Sequence, residues 1–268
     1  EQTMTTGERS QDVWVLSDKP IEEISLLTPP GQMVKLRRSG AELPSRVADN
    51  LFWLGRSWER AEGSARLLRT VLGHITGENE FGPEVRVLLR ALAEQGQIDP
   101  DYVIPGLDET LPRIDEMLPQ AIFDTSRTRS LRSTIKEAFR LISIVRDRLS
   151  IDAWRIIHRI DEASRRSPGD VTDVLEFLDR LILDLVAFAG LGAESMTRTQ
   201  GWRFLDLGRR VERAWQGSTL LRSTLTTVPE EEQPVLEALL LTADSIMTYR
   251  SRYLATVQTG PVLDLLLT

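Results

Sequence analysis

Proline is absent from four long stretches of this 268-residue chain, and this distribution restricts the possible folds strongly. Proline has no backbone N–H and its ring clashes with the preceding turn, so helix interiors exclude it. The stretches are also rich in the helix-favouring residues Leu, Ala, Arg and Glu. They comprise residues 45–82, 120–167, 169–228 and 235–260. We therefore predict an all-α protein, a bundle of about eight mostly antiparallel helices. The predicted helices cover residues 44–75, 83–95, 108–122, 127–149, 151–165, 170–199, 201–226 and 231–258.

The first 43 residues differ from this pattern. Residues 13–16 read Val-Trp-Val-Leu, a short strand-like run, and Pro29-Pro30-Gly31 and residues 37–40 are typical of a linker. We therefore divide the chain into an N-terminal tail, residues 1–43, and a helical domain, residues 44–268. The sequence begins with Glu1 and ends on an apolar run, so we expect it to be a piece of a longer protein, in which the helical domain could continue beyond residue 268.

The composition excludes several classes of function. There is no cysteine, which excludes disulfide scaffolds, thiolate metal sites and cysteine nucleophiles. There are only two histidines, which argues against a His-dependent catalytic triad or a His-rich metal site. A net charge of −7 argues against nucleic-acid binding. The longest apolar stretch, residues 181–193, contains Asp184 and is too short to span a membrane. No signal peptide, nucleotide-binding loop or metal motif is visible, so we expect a cytoplasmic protein without metal or cofactor.

An internal repeat carries the most information. Residues 54–72 and 207–225 match at ten of nineteen positions without a gap, at an offset of 153. The shared residues include the sequence Gly-Arg-x-x-Glu-Arg-Ala, which is more specific than a chance recurrence of Leu and Ala. We interpret the repeat as an ancient duplication, and we predict that the two helices pack near each other about a pseudo-twofold axis.

Each copy also carries an apolar seam with alternating spacings of three and four residues. We expect both seams to pack in the core, with the charged residues on the opposite side of each helix at least partly buried. In the first copy the seam comprises Val47, Leu51, Leu54, Trp58, Ala61, Ala65, Leu68 and Leu72, and in the second copy Phe204, Leu207, Val211, Ala214 and Leu221.

The repeated sequence Arg-x-x-Glu-Arg is the main candidate for a binding site. Its first Arg and its Glu stand three residues apart, where an ion pair within one helix forms easily. Two arginines per glutamate leave surplus positive charge, which either acidic residues of neighbouring helices or a ligand carboxylate or phosphate would balance. If buried, the two glutamates could also serve as acid–base groups. The candidate residues are Arg56, Glu59, Arg60, Arg209, Glu212 and Arg213.

Two further polar clusters lie outside the repeat. Ser245, Tyr249 and Arg250 follow one another at helical spacing and could join the ligand site, or they could form an exposed polar face. The other contains Ser150 and Asp152, and it is better explained by Ser150 or Asp152 capping the helix that follows. No catalytic residue can be assigned.

These motifs together resemble the alpha-E family, a bacterial helical domain named for its Glu-Arg motif. The resemblance covers about residues 44–268, and it implies an all-α fold. The segments that carry it are Ser-Arg-Val-Ala-Asp-Asn-Leu-Phe-Trp-Leu-Gly-Arg at 45–56, Glu-Arg-Ala-Glu at 59–62, Val-Arg-Asp-Arg-Leu-Ser at 145–150, Gly-Trp-Arg-Phe-Leu at 201–205, Gly-Arg-Arg-Val-Glu-Arg-Ala at 208–214, and Asp244-Ser245 with Tyr249-Arg250. The chain departs from the family where Phe139-Arg140-Leu141-Ile142-Ser143 replaces an Arg-Glu-Asn-Ala-Arg run.

Residues 12–27 resemble the end of a circularly permuted ATP-grasp domain, which often precedes or accompanies alpha-E. ATP-grasp enzymes form amide bonds through an acyl phosphate. The resemblance therefore implies an accessory or substrate-holding domain whose partner is an ATP-grasp ligase and whose ligand is anionic or peptide-like. A catalytic domain acting on the ligase product and a purely structural fusion bundle are the alternatives.

Overall fold

The computed structural model describes most of the helical domain and a few residues of the tail. The described residues are 12–14, 16–18, 20, 25, 29, 31–33, 43–76, 82–107, 111–165, 170–226 and 232–267. They contain ten α-helices and no strand, which confirms the predicted all-α class. The helices are α1 (Ser45–Ile75), α2 (Pro83–Glu94), α3 (Ile114–Phe123), α4 (Leu131–Ile144), α5 (Ile151–Ser164), α6 (Val171–Ser195), α7 (Gln200–Leu225), α8 (Glu232–Thr242), α9 (Ile246–Tyr253) and α10 (Thr259–Leu267).

The chain divides into two compact units, residues 1–39 and 40–268. In the first unit, the described residues Val13, Trp14 and Leu16 are exposed and belong to no strand, so the strand-like segment is not found there. Val15 lies outside the described residues. An apolar run alone does not make a strand, because a strand needs a neighbour to pair its backbone groups.

Side chains that accept hydrogen bonds from the first turn define several helix starts. Ser150 accepts from the backbone N–H of Ala153, which confirms its predicted capping role. Asp170 and Asp173 form a reciprocal capping box at the start of α6. Pro83 occupies the first position of α2, where its missing N–H costs nothing.

The single helix predicted over residues 231–258 is wrong, because the chain breaks between α8 and α9. Asp244 adopts a left-handed conformation with φ of 54°. The N–H of Ser245 donates to the carbonyl of Leu240, and that of Asp244 donates to Leu241, which closes α8. This is the Schellman arrangement, which usually has glycine at the left-handed position. Because Asp244 stands there instead, the sequence contains no glycine that would predict the break.

Helix α1 is the central helix of the second unit. It packs most extensively against α7, and also against α2, α3, α4, α6 and α8. Its apolar seam is buried as predicted, except for the partly buried Val47 at its start. A smaller core lies among α8, α9 and α10, around Leu236, Leu239, Leu240, Tyr249 and Val262.

The seam of the second copy does not pack as predicted. Phe204, Leu207, Val211 and Ala214 lie on an exposed face of α7, and Leu207 retains 49% of its accessible surface. The equivalent positions of α1 are covered by neighbouring helices, chiefly α4 and α6. Leu205, which lies off the seam, is the buried residue instead, because α7 turns that side towards α1.

The two repeat helices run parallel to each other, unlike the mostly antiparallel arrangement we expected. Hydrogen-bonded residues of α1 and α7 keep a nearly constant separation in the sequence, between 150 and 156 residues. An antiparallel pair would keep a constant sum of residue numbers instead. Because the separation is centred on the repeat offset of 153, a pseudo-twofold axis relates the two helices, as predicted.

Candidate functional site

Two glycines allow α1 and α7 to approach each other closely. A Cβ atom added to Gly55 would lie 2.2 Å from the carbonyl oxygen of Leu205, and one added to Gly208 would lie 2.1 Å from that of Phe52. Such distances are far too short for any side chain. Since Leu205 is the repeat equivalent of Phe52, each copy of the glycine touches the same part of the other copy. This close contact brings the two charged motifs within reach of each other.

The Glu212 carboxylate is fully buried between two arginines of α1. Arg56 Nε donates to Glu212 Oε2 at 2.7 Å, and Arg60 donates through Nε to Oε1 at 2.6 Å and through Nη2 to Oε2 at 3.0 Å. The side chains of Arg56 and Arg60 remain partly exposed. The buried charge is therefore neutralised by cations whose outer faces reach solvent.

The Glu59 carboxylate forms the same arrangement with α7. Arg209 Nε donates to Glu59 Oε2 at 3.2 Å, and Arg213 Nε donates to Oε1 at 2.5 Å. Partial burial disfavours the charged form of Arg213, but its hydrogen bond to Glu59 and the charge of that carboxylate outweigh burial and raise its pKa above the ordinary value. Arg213 is also the most exposed of the four arginines, with 66% of its side chain accessible.

The predicted ion pair within each motif is replaced by pairs between the helices. In the described part of the chain, each motif glutamate bonds to both arginines of the other copy. One alternative was that acidic residues of a neighbouring helix balance the charge of the arginines, and Glu59 and Glu212 take part in such pairs. Four arginines nevertheless face only these two glutamates. All four carboxylate oxygens accept guanidinium hydrogen bonds, which fix the orientation of both carboxylates.

A cavity of about 660 Å³ opens beside these ion pairs, between α1, α7, the turn after α8, and α10. Glu59 and Arg213 from the repeats reach its wall, together with Ser245 from the second predicted cluster. Its apolar wall includes Leu67, Leu220, Leu221, Leu239, Leu265, Leu266 and Leu267. A volume of this size suits a small organic ligand or a short peptide.

The other predicted site residues lie elsewhere. Arg209 borders a much smaller pocket of about 50 Å³ beside Trp58 and Phe188, and Arg56 lies over the ring of Trp53. Tyr249 is fully buried, where its hydroxyl donates to the carbonyl of Thr256 and accepts from the N–H of Gln258.

Arg60 reaches Glu212 but is not among the residues that line the cavity, and Arg250 is an exposed residue of α9. The structure thus brings together Glu59, Arg213 and Ser245. Whether any of the predicted residues contacts a ligand stays a prediction.

Three charged residues of the cavity wall were not assigned to the site from the sequence. Arg66 donates to Glu62 Oε1 through Nε at 3.2 Å and through Nη2 at 3.0 Å, and it pairs with Asp244 at 3.0 Å. Glu62 Oε2 is buried and has no hydrogen-bond partner in the part of the chain that the structure describes. The spacing of Glu62 and Arg66 predicts the i,i+4 pair, but it carries no sign that one oxygen is left over.

Neither a metal site nor a membrane-spanning helix lies among the described residues. No group of three or more His, Asp or Glu residues there could hold a metal ion. None of the helices in that part of the chain is both long and apolar enough to cross a lipid bilayer.

Comparison with known proteins identifies a family over the whole helical domain. The model of the Alpha-E family, described as a predicted alpha-helical domain with a conserved ER motif, matches residues 43–268. Within the matched residues, the Glu-Arg pair occurs twice in this chain, at Glu59-Arg60 and at Glu212-Arg213. No solved structure matches the chain.

Similar proteins occur in mycobacteria. The uncharacterized protein Rv2567 of Mycobacterium tuberculosis is 28% identical over 283 residues, which cover 96% of this chain and 31% of that protein. The uncharacterized protein Mb2597 of Mycobacterium bovis matches to the same extent. The chain therefore spans about a third of the length of these relatives. Since the match covers 96% of the chain, it extends from the helical domain into the N-terminal tail.

Proposed function

The chain belongs to the Alpha-E family of alpha-helical domains, and on this premise we propose that it is a substrate-holding accessory domain of an ATP-grasp amide-ligase system. In this proposal the domain binds an anionic or peptide-like ligand through Arg56, Arg60, Arg209 and Arg213 and leaves the bond-forming chemistry to the ligase. The partner is inferred from the ATP-grasp resemblance of residues 12–27. The length of the relatives is compatible with further domains in those proteins.

The observation that supports ligand binding most directly is the excess of guanidinium groups over carboxylates. Four arginines surround two buried glutamates, and each arginine keeps part of its side chain in solvent. Arginine presents five N–H donors in a planar fork that matches carboxylates and phosphates, the groups found on amino acids, peptides and acyl phosphates. The N–H groups not used by the glutamates are thus available to an anionic ligand.

Arg213 is the arginine best placed for this role. Its side chain is largely exposed, it lies on the wall of the 660 Å³ cavity, and only one of its nitrogens is committed to Glu59. A hydrogen bond to a charged partner contributes about 1.5–3 kcal/mol. Loss of Arg213 should therefore weaken binding of a carboxylate by roughly one to two orders of magnitude.

Calorimetric titration with glutamate, a short acidic peptide and ATP tests the proposal. We expect at least one of these anions to bind the wild-type chain and to bind Arg213→Ala at least tenfold more weakly. Arg180→Ala is the matched control, because Arg180 is exposed on α6 and, among the described residues, pairs with Glu176 of its own helix. Unchanged affinity in Arg213→Ala would contradict the proposed site.

A structural role is the second function, and a specific observation favours it. Both motif glutamates are satisfied by arginines of the other copy, so the charged motifs can act as a clamp that fixes α1 against α7. Failure of the wild-type chain to bind any of the three anions would favour this function. The proposed partner is tested separately, since an ATP-grasp ligase should be encoded in the same gene or beside it.

A further inference from the structure

Helix α7 carries an apolar face that is exposed to solvent. Five residues form it, and we call them the α7 face: Phe204, Leu207, Val211, Ala214 and Trp215. They follow one another at spacings of three and four residues or side by side, which places them along one stripe of the helix. Contiguous apolar surface of this kind marks a contact site for another protein segment.

The equivalent face of the first copy is buried. The equivalents of the first four residues are Leu51, Leu54, Trp58 and Ala61, and all four lie in the core. Trp58 retains 1% of its accessible surface, whereas its equivalent Val211 retains 39%. The Trp58 ring stacks on Phe188 of α6, and its Nε1 donates to the carbonyl of Leu185 at 3.0 Å. Helices α4 and α6 thus cover on α1 the face that lies open on α7.

The duplication extends beyond the two repeat helices, because α8 is the counterpart of α2. Helix α2 packs more extensively against α7 than against α1, and α8 packs more extensively against α1 than against α7. Both helices also close in the same way. Gly96 and Asp244 are left-handed, and the N–H of the next residue donates five residues back, from Gln97 to Leu92 and from Ser245 to Leu240.

The order of the elements continues this correspondence. A short 3₁₀-helical turn, Pro100–Val103, separates α2 from α3, and α9 separates α8 from α10 in the same way. In the first copy α3 ends at Phe123 and α4 begins at Leu131, eight residues later. The counterpart of α4 would therefore begin about eight residues after the end of α10 at Leu267, beyond the present sequence.

We propose that the α7 face is the docking site of an amphipathic helix that follows residue 268 in the longer protein and is the counterpart of α4. Helix α4 buries an apolar stripe that includes Leu131, Ile135, Ala138 and Ile142, and its counterpart presents a similar stripe to the α7 face. The mycobacterial relatives have room for such a helix, since this chain spans about a third of their length. The docking is independent of the anionic ligand of the proposed function.

Thiol labelling at residue 207 tests the proposal. The 268 residues contain no cysteine, so Leu207→Cys introduces a single reactive thiol. Its labelling rate is compared in the 268-residue chain and in the protein encoded by the whole gene, with any other cysteine of that protein replaced by serine. We expect labelling to be slower by about tenfold or more in the longer protein, because the docked helix excludes the reagent.

Leu183→Cys is the matched control. Leu183 is an exposed leucine in the interior of α6 and lies outside the α7 face, so its labelling rate should be the same in both proteins. Thermal unfolding shows whether each variant is folded. If Leu207→Cys does not fold in the longer protein, Val211→Cys gives the same comparison one turn further along α7.

A protein that ends shortly after the proposed helix identifies the covering segment. This protein should keep the slow labelling of residue 207, and protection that needs the rest of the longer protein would overturn the proposal. Equal labelling rates in the 268-residue chain and the whole protein would also overturn it, as would a gene that ends at residue 268. A rate in the 268-residue chain that falls as its concentration rises would assign the α7 face to a second copy instead, which would likewise overturn the proposal.

Discussion

Arg60 of α1 donates two hydrogen bonds, of 2.6 and 3.0 Å, to the carboxylate of Glu212, which lies 152 residues further along the chain. The equivalent residues are joined in the opposite direction, because Arg213 of α7 donates to Glu59 of α1. Each copy of the motif therefore supplies the acid for the arginines of the other. This reciprocity explains why arginine and glutamate recur together, since the glutamate of each copy is held by the arginines of the other.

Removal of Glu212 should destabilise the protein strongly. We expect Glu212→Ala to lower the free energy of unfolding by about 3–5 kcal/mol, because it leaves two partly buried arginines without their shared acid. For a protein of this size, each kcal/mol corresponds to a fall of about 2–4 °C in Tm. Thermal and urea unfolding would measure the change.

Glu176→Ala provides the comparison for Glu212→Ala. Its carboxylate is exposed and pairs with Arg180 on the same helix, so we expect a change of at most about 1 kcal/mol. Similar stabilities of the two variants would mean that the pairs between α1 and α7 contribute no more than a surface ion pair.

Gly55 and Gly73 lie in the same helix and should respond in opposite ways to alanine. A Cβ at residue 55 collides with the backbone of α7, so Gly55→Ala should force the helices apart and cost about 1–3 kcal/mol. Residue 73 has no atom within 4 Å of an added Cβ, and alanine there should stabilise the helix by roughly 0.5–1 kcal/mol. Urea unfolding of both variants tests this. Tolerance of Gly55→Ala would contradict the close helix contact, and destabilisation by Gly73→Ala would contradict the open space around residue 73.

Leu54 and Leu207 occupy equivalent positions of the repeat but differ in burial. Leu54 is fully buried among the helices around α1, and Leu54→Ala should cost about 2–5 kcal/mol. Leu207 is half exposed, so Leu207→Ala should change the stability by about 0.5 kcal/mol. Equal costs in chemical unfolding would show that the exposed face of α7 is covered in solution.

The sequence was sufficient to predict most of the long helices and the contact between the repeats, but not the break between α8 and α9. Proline-free stretches predicted the long helices because the exclusion of proline is a local property of the backbone. The pairing of α1 with α7 followed from the recurrence of Gly55 and Arg56 as Gly208 and Arg209. The contacting faces of α1 and α7 could be recognised because the same glycine and charged residues occur in both helices.

The direction of the helices and the burial of each seam could not be predicted in this way. The seams around Leu54 and Leu207 have the same spacing, yet only the first is covered, because burial depends on which helices follow and where they pack. The spare oxygen of Glu62 is likewise a property of the three-dimensional arrangement. The i,i+4 spacing predicts the Glu62–Arg66 pair, but it does not predict that both hydrogen bonds of Arg66 reach the same carboxylate oxygen of Glu62.

The left-handed turn at Asp244 gives a final prediction. At this position a residue with a Cβ atom pays about 1–2 kcal/mol that glycine avoids. Asp244→Gly removes this strain and loses only a pair with Arg66 in which the aspartate is largely exposed, so we expect little change in stability or a small gain. Asp244→Ala keeps the strain, loses the same pair, and should be less stable than Asp244→Gly by about 1 kcal/mol.

Because both variants lose the carboxylate, the difference between their urea-unfolding midpoints isolates the backbone contribution. An alanine variant as stable as the glycine variant would mean that the chain between α8 and α9 does not adopt the left-handed conformation.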